Sequence, residues 1–182
     1  MLTKVERRSK RRDPQSVEVW RRSAALAIDG VAAWLVGALL GGNNAGLSSL
    51  VFLVVWLVVR VAIPLRQSGQ SLGRWALDSR LIDYRYRKTP ELPVLLQREV
   101  ILGLEVLLVT TGLSKGLLPS QSNWLLLLLP LAIDSIFILA DNNRQQMLHD
   151  RISQTMVVFT RRGFSLDLKL RRLMAQVRQR MK

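Results

Sequence analysis

The sequence predicts an all-α membrane protein with four transmembrane helices in two hairpins, a small cytoplasmic β element and a C-terminal amphipathic helix. Two observations predict this fold class. First, 49% of the 182 residues are hydrophobic and the mean hydropathy is +0.17, although 22% of the residues are charged. Apolar and charged residues must therefore occupy separate segments, which excludes a disordered basic tail and an ordinary soluble nucleic-acid-binding domain. Second, nearly all of the positive charge falls in three of the five segments that flank or join the apolar ones.

Four apolar segments approach the roughly 20 residues that a helix needs to cross the hydrocarbon core of a bilayer. They run over residues 23–41, 47–65, 100–118 and 124–140. The fourth is slightly short and contains Pro130, which membrane helices tolerate. The first is too long for the apolar region of a signal peptide and no small-x-small cleavage site closes it, so we expect a retained membrane helix.

The cations are concentrated in three segments of the chain. Residues 1–22, 60–98 and 141–182 contain 26 of the 27 Lys and Arg residues, and Lys115 is the exception. By the positive-inside rule these segments and both termini are cytoplasmic, which predicts a multi-pass protein of the plasma membrane. Anionic lipids of the inner leaflet account for this charge, so no nucleic-acid partner is expected.

The chain divides into a basic N-terminal segment (1–22), a membrane domain (23–158) and a basic amphipathic helix (159–182). That helix should lie on the inner leaflet or, alternatively, pack on the protein's own cytoplasmic surface. Residues 81–86 and 155–160 have strand character. Because an isolated strand is not stable, these two should pair.

Three residues are spaced in a way that identifies a family resemblance. Arg22 opens the first apolar segment, Asp29 lies within it, and Asp150 follows a Leu-His dipeptide shortly before the second strand. The chain in this respect resembles the RDD family of membrane proteins, which is named for one arginine and two aspartates. The resemblance extends over about residues 22–158.

Two further motifs add to the resemblance. Residues 69–74 are similar to the family's Gly-x-Thr-x-Gly-Lys, with Ser71 and Arg74 as departures, and Arg98-Glu99 is similar to the Arg-Glu that opens the family's third helix. The resemblance implies the membrane fold. Because some members have been linked to cation/proton exchange, it also implies a transport activity.

Three acids lie inside the apolar segments: Asp29, Glu105 and Asp134. A charge at the bilayer centre costs about 3 kcal/mol on translocon scales, so each acid needs a partner or a function. The three fall at comparable depth on three helices, where they could bind a proton or a monovalent cation. Alternatively, Asp29 belongs to a static ion pair that locks the helices together, or it lies near the interface.

The partner of Asp29 should come from another element. Arg22 precedes it by seven residues, about 10 Å along a helix, which is too far for a direct pair. The candidate partners are Arg60, Arg98 and Arg144.

Arg22 should instead pair with Asp150, because the start of the first helix meets the end of the fourth in this topology. Arg98 and His149 are expected to be structural polar partners. The chain has no cysteine, and His149 is its single histidine, so no metal site, cofactor or catalytic centre is expected and the chain is not predicted to be an enzyme.

Two hypotheses for function follow. The first is a small transporter of a proton or monovalent cation, which would need a homo-oligomer because four helices are few for a pathway. The second is a structural or accessory membrane protein that binds a partner complex or anionic lipid through its basic cytoplasmic face.

Overall fold

The computed structural model describes residues 16–116, 122–138 and 146–160, which are mostly helical. The predicted C-terminal helix, the basic residues 1–15 and Arg144 lie outside these residues. The elements in chain order are α1 (Val19–Gly41), α2 (Ala45–Leu57), a π-helical segment (Val58–Ala62), α3 (Ile63–Arg66), α4 (Leu72–Ala76), β1 (Ser79–Asp83), α5 (Leu92–Gly116), a 3-10 segment (Ser122–Leu128), α6 (Leu129–Ile136), α7 (Leu148–Ile152) and β2 (Thr155–Phe159).

Helices α1 and α2 form a tight antiparallel hairpin. Asn44 begins α2, and its side chain accepts a hydrogen bond from the backbone N–H of Leu47 at 3.0 Å. The helices approach closely at Gly41, where an added Cβ would lie 2.1 Å from the hydroxyl oxygen of Ser48. Small residues of this kind allow helices to pack at short range without a large apolar driving force.

Within the described residues, two helical stretches are long and apolar enough to cross a membrane. They are Val19–Gly41 and Ala45–Arg66, and the second joins α2, the π-helical segment and α3. Many of their large aliphatic side chains point outward, and Leu39 is 80% exposed. An outer surface of this size and apolarity is what a lipid-facing helix requires.

The third predicted membrane segment begins earlier than the hydropathy indicated. Helix α5 starts at Leu92 and not near Val100, because Pro93 falls in its first turn, where the missing N–H loses no helical hydrogen bond. Arg98 and Glu99 therefore lie inside the helix and not at its start.

The fourth predicted segment, residues 124–140, is not a continuous α-helix. A 3-10 segment ends at Leu128, and α6 follows with Pro130 in its first turn. The apolar helical stretch Trp124–Ile136 is shorter than a membrane crossing needs.

Strands β1 and β2 pair in an antiparallel sheet, with Ser79 opposite Phe159 and Asp83 opposite Thr155. The pairing of these two segments is confirmed, but β1 begins two residues earlier than predicted and ends at Asp83. The Asp83 carboxylate accepts hydrogen bonds from the backbone N–H groups of Arg85 and Tyr86 at 2.7 and 3.0 Å, which turns the chain.

Two apolar clusters pack against the ends of a buried polar region. The members of the first are Val17, Val61, Leu81, Leu95 and Val157, and those of the second are Ala33, Phe52, Trp56, Leu102 and Val106. Along α5, Arg98 and Glu99 fall between Leu95 of one cluster and Leu102 of the other. The core therefore encloses charged residues at its middle.

Candidate functional site

Asp29 is completely buried, and both of its carboxylate oxygens are hydrogen-bonded. Oδ2 accepts from Arg60 Nη1 at 2.8 Å and from the Ser71 hydroxyl at 2.6 Å. Oδ1 accepts from the backbone N–H of Gly73 at 2.7 Å. Of the candidate partners that the structure describes, Arg60 pairs with Asp29 and Arg98 does not, while Arg144 lies outside the described residues. The complete set of partners favours the static ion pair over an ion-binding role for this residue.

The motif at residues 69–74 places α4 against Asp29. The Ser71 hydroxyl caps α4 by accepting from the Arg74 backbone N–H at 3.3 Å, in addition to its bond to Asp29. A Cβ on Gly73 would lie 2.1 Å from the carbonyl oxygen of Ala25 on α1. Only glycine at this position allows the backbone to reach the carboxylate, which explains both the glycine and the hydroxyl of the motif.

Glu99 joins three arginines from three elements. Arg60 donates to its Oε2 at 2.6 Å, Arg74 donates to Oε1 at 2.8 Å, and Arg98 also contacts Oε1. Arg60 lies in the π-helical segment and stacks over the Trp56 ring, 4.8 Å from its centroid. Insertions of π-helix often redirect a side chain at a functional site, and here the segment presents Arg60 to two acids at once.

Asp150 links the sheet end of the molecule to α1 and α5. The predicted pair with Arg22 is confirmed, at 3.3 Å between Nη1 and Oδ2, and Arg22 also donates to the carbonyl of Val157. Arg98 donates to Oδ1 through Nε and Nη2, at 3.0 and 2.7 Å. Burial opposes the charge of Asp150, but the guanidinium groups of Arg98 and Arg22 outweigh it and hold the pKa of this carboxyl well below its usual range.

His149 stands between Asp134 and Arg98. Its Nδ1 lies 2.6 Å from Asp134 Oδ2, and its backbone N–H donates to Asp134 Oδ1 at 2.9 Å. Its Nε2 lies 3.1 Å from Arg98 Nη2. Because a guanidinium can only donate, Nε2 must accept, which assigns the ring proton to Nδ1 and makes Nδ1 the donor to Asp134.

Glu105 completes a second polar group, which we name the acid–histidine cluster: Glu105, Asp134 and His149. One ligand atom from each residue lies within 4.8 Å of the others. Oε2 of Glu105 is buried and has no hydrogen-bond partner among the described residues. Both nitrogens of His149 are engaged and the Asp134 contact is a short hydrogen bond, so the geometry suits a proton or a small cation better than a ligated transition metal.

The structure brings together two of the three acids that were predicted to lie at comparable depth. Asp29 belongs to the arginine network, whereas Glu105 and Asp134 meet at His149, because the π-helical segment gives Asp29 a closer basic partner. His149, which we expected to be a structural partner only, is the residue that connects the two groups.

The sequence did not reveal the structural role of two residues in the arginine network. Glu99 and Arg74 appeared only as parts of motifs, although Glu99 is fully buried and Arg74 is 2% exposed. The signal that could have found them is the adjacency of Glu99 to a predicted membrane segment, since an acid there requires basic partners.

The RDD family model matches residues 17–154, which is more than half of the chain and contains Arg22, Asp29 and Asp150. Neither the curated proteins nor the solved structures compared with the chain gave a match. The match covers the hairpin, the α4 motif, α5 and the segment that holds His149. The sequence resemblance is confirmed, and the chain belongs to the RDD family.

Proposed function

We propose that the chain is a multi-pass integral membrane protein of the plasma membrane that transports a proton or a monovalent cation. In this proposal both termini and the basic loops lie in the cytoplasm, as the distribution of positive charge favours. The two apolar helices and the family membership are consistent with a membrane location. The transport part depends on one observation: Oε2 of Glu105 lies buried beside Asp134 and has no hydrogen-bond partner in the part of the chain that the structure describes.

A carboxylate oxygen buried without a partner is energetically costly, and a second carboxylate nearby adds repulsion. A proton or a small cation held between Glu105 and Asp134 would remove both penalties. Among the described residues, Asp134 accepts hydrogen bonds from the Nδ1–H and the backbone N–H of His149 and pairs with no guanidinium group. The acid–histidine cluster is therefore the place where binding a positive charge is most favourable.

The transport proposal includes a homo-oligomer. Four helices are few for a pathway across the membrane, so such a pathway would form between copies. The exposed aliphatic surface of α1 and α2 is available either to lipid or to a second copy.

A second candidate function is an accessory membrane protein that binds anionic lipid or a partner complex through a basic face. The chain between α3 and α5 carries both exposed cations and exposed aromatic side chains, and Trp75 is 60% and Tyr86 74% exposed. The cations of this face are Arg66, Arg80, Arg85, Arg87 and Lys88. Aromatic and basic residues together suit the headgroup region of a membrane.

The test is flux through proteoliposomes that contain purified protein and an internal pH-sensitive dye. Imposed sodium, potassium or lithium gradients should change the internal pH with wild-type protein. Glu105→Gln should abolish this change, while Glu91→Gln, the same substitution at an exposed acid of the chain, should leave it intact. Wild-type vesicles that show no flux under any gradient would reject transport and favour the accessory function, which binding to vesicles with and without anionic lipid then measures.

A further inference from the structure

The acid–histidine cluster has the composition of a transition-metal site. Glu105, Asp134 and His149 each bring one ligand atom to within 4.8 Å of the other two. Carboxylates and an imidazole, with a water in the fourth position, are ligands that zinc sites use. Imidazole also suits copper, iron and nickel. The cluster therefore has to discriminate against these metals if it is to take a proton or a monovalent cation.

The ring of His149 faces the cluster with one nitrogen and an arginine with the other. Nδ1 lies 2.6 Å from Asp134 Oδ2, whereas Nε2 lies 3.1 Å from Arg98 Nη2. A guanidinium has donors only, so Nε2 accepts and the ring proton stays on Nδ1. A histidine binds a metal through a nitrogen that carries no proton. The nitrogen that faces Glu105 and Asp134 is therefore the one that cannot act as a ligand.

Arg98 is itself held in front of Nε2 by two carboxylates. Its Nε and Nη2 donate to Asp150 Oδ1 at 3.0 and 2.7 Å, and its Nη1 contacts Oε1 of Glu99. All of these side chains are buried. Turning the guanidinium away from the histidine would break a buried ion pair, which is strongly unfavourable. The proton on Nδ1 is thus fixed by a rigid neighbour.

The carboxylate that a metal site would need behind His149 is also present. A metal-binding histidine almost always donates its other ring N–H to a carboxylate, a backbone carbonyl or a water. Asp150 Oδ1 lies 3.4 Å from Nε2. Without the guanidinium, Nε2 would carry the proton and donate it to this oxygen, and Nδ1 would offer its lone pair to a metal. Among the described residues, it is Arg98 that stands between the cluster and this arrangement.

We propose that Arg98 sets the ion selectivity of the acid–histidine cluster. By keeping the proton of His149 on Nδ1, it excludes zinc and other divalent transition metals and leaves the cluster to a proton or a monovalent cation. The inference rests on the proposed function, since it concerns the ion that the same cluster takes. Arg98 is a positioning residue in this role, because it acts through His149 and does not touch the ion. A purely structural arginine would give no new site when it is removed, whereas a selectivity residue gives a metal site.

The experiment is the binding of Co²⁺, whose visible absorption reports its ligands, to the purified full chain in detergent at pH 7. The protein is isolated without a histidine tag, so that His149 remains its single histidine. Wild type should bind no Co²⁺ at this residue. Arg98→Met, which fills the space without a donor, should bind about one ion per chain, and zinc should displace it. Adding His149→Gln to Arg98→Met should abolish the binding.

The matched control is Arg22→Met, which removes another buried arginine that contacts Asp150 and leaves Arg98 in front of the histidine. This variant should gain no metal site. Co²⁺ bound to wild type through His149, no gain in a folded Arg98→Met protein, or an equal gain in Arg22→Met would each overturn the proposal. None of these results depends on flux. Absence of flux in wild type would reject the proposed function alone, and flux in a wild type that binds Co²⁺ through His149 would reject this inference alone.

Wild-type protein decides the question if Arg98→Met does not fold. Nitrogen NMR of protein with isotope-labelled histidine shows which ring nitrogen carries the proton, and His149 gives all the ring signals. The proton should be on Nδ1, and excess zinc should leave both ring signals unchanged. A proton on Nε2, or ring signals that zinc shifts, would refute the proposal.

Discussion

The two buried acidic regions of the molecule differ in how completely their carboxylates are satisfied. Asp29 receives three hydrogen bonds from Arg60, Ser71 and Gly73, and none of its acceptor oxygens is left over. In the acid–histidine cluster, Oε2 of Glu105 has no partner among residues 16–116, 122–138 and 146–160. The difference teaches that burial of an acid does not by itself indicate ion binding. A carboxylate with a full set of donors fastens elements together, and one with an incomplete set has capacity to bind.

Loss of Glu99 should have the largest effect, because it would leave three arginines without their shared acceptor. We expect Glu99→Gln to lower the free energy of unfolding by about 3–5 kcal/mol, the range observed when one member of a buried pair is removed. The measurement is the yield and unfolding midpoint of purified protein in detergent. The control is Glu91→Gln at the exposed residue just before α5, and equal stability of the two variants would contradict the network as described.

How much of this network could be predicted from the sequence depends on where each partner lies. The Arg22–Asp150 pair and the pairing of the two strands follow from topology alone, since each joins the ends of predicted elements. The Arg60–Asp29 pair was one of three alternatives, because the π-helical segment that aims Arg60 has no simple sequence pattern. The broken fourth helix was missed because hydropathy does not distinguish a 3-10 segment from an α-helix.

Asp29→Asn should have the next largest effect, and it sharpens the comparison between the two regions. Asparagine keeps the shape but replaces one acceptor oxygen by an NH2 group that faces donors, and it removes one of the two counter-charges of Arg60. We expect a loss of about 2–4 kcal/mol in stability, within the range for broken buried pairs and unsatisfied polar groups. Flux per folded molecule should stay at the wild-type value. A variant of wild-type stability that has lost flux would reverse the roles assigned to the two regions.

Gly73→Ala tests the same region through the backbone and not through charge. The added Cβ would meet the carbonyl of Ala25 at 2.1 Å, so α4 must move away from Asp29 and lengthen its hydrogen bond. We expect a loss of about 1–3 kcal/mol, as for overpacked cores. Gly46→Ala, on α2 with its nearest neighbour at 3.4 Å, is the matched control and should be neutral or slightly stabilising. Similar losses at both glycines would contradict the close approach of α4 to α1.

The contribution of Asp150 to the free energy of unfolding should change with pH only in the acidic range. Its pKa is lowered in the folded protein, so its stabilising effect is complete above the unfolded value near 3.9 and is lost as the pH falls toward the folded pKa. Wild type and Asp150→Asn should therefore differ in unfolding midpoint by a constant amount from about pH 8 to pH 5. The difference should shrink below about pH 4. A difference that already shrinks between pH 7 and 6 would show that another titrating group, and not Asp150 itself, sets the pH dependence of this contribution.

Glu105→Gln should have the smallest effect on stability and the clearest effect on function. The substitution removes a carboxylate whose Oε2 is buried without a partner, so no favourable contact among the described residues is lost at that oxygen. Repulsion from Asp134 also disappears. We expect the free energy of unfolding to stay within about 1 kcal/mol of wild type, or to rise, because removing an uncompensated buried charge relieves a desolvation penalty. The unfolding midpoint in detergent and the flux in proteoliposomes must be measured on the same preparation. A marked loss of stability in Glu105→Gln would show that this carboxylate has a structural partner after all, and that the acid–histidine cluster fastens the helices in the same way as Asp29.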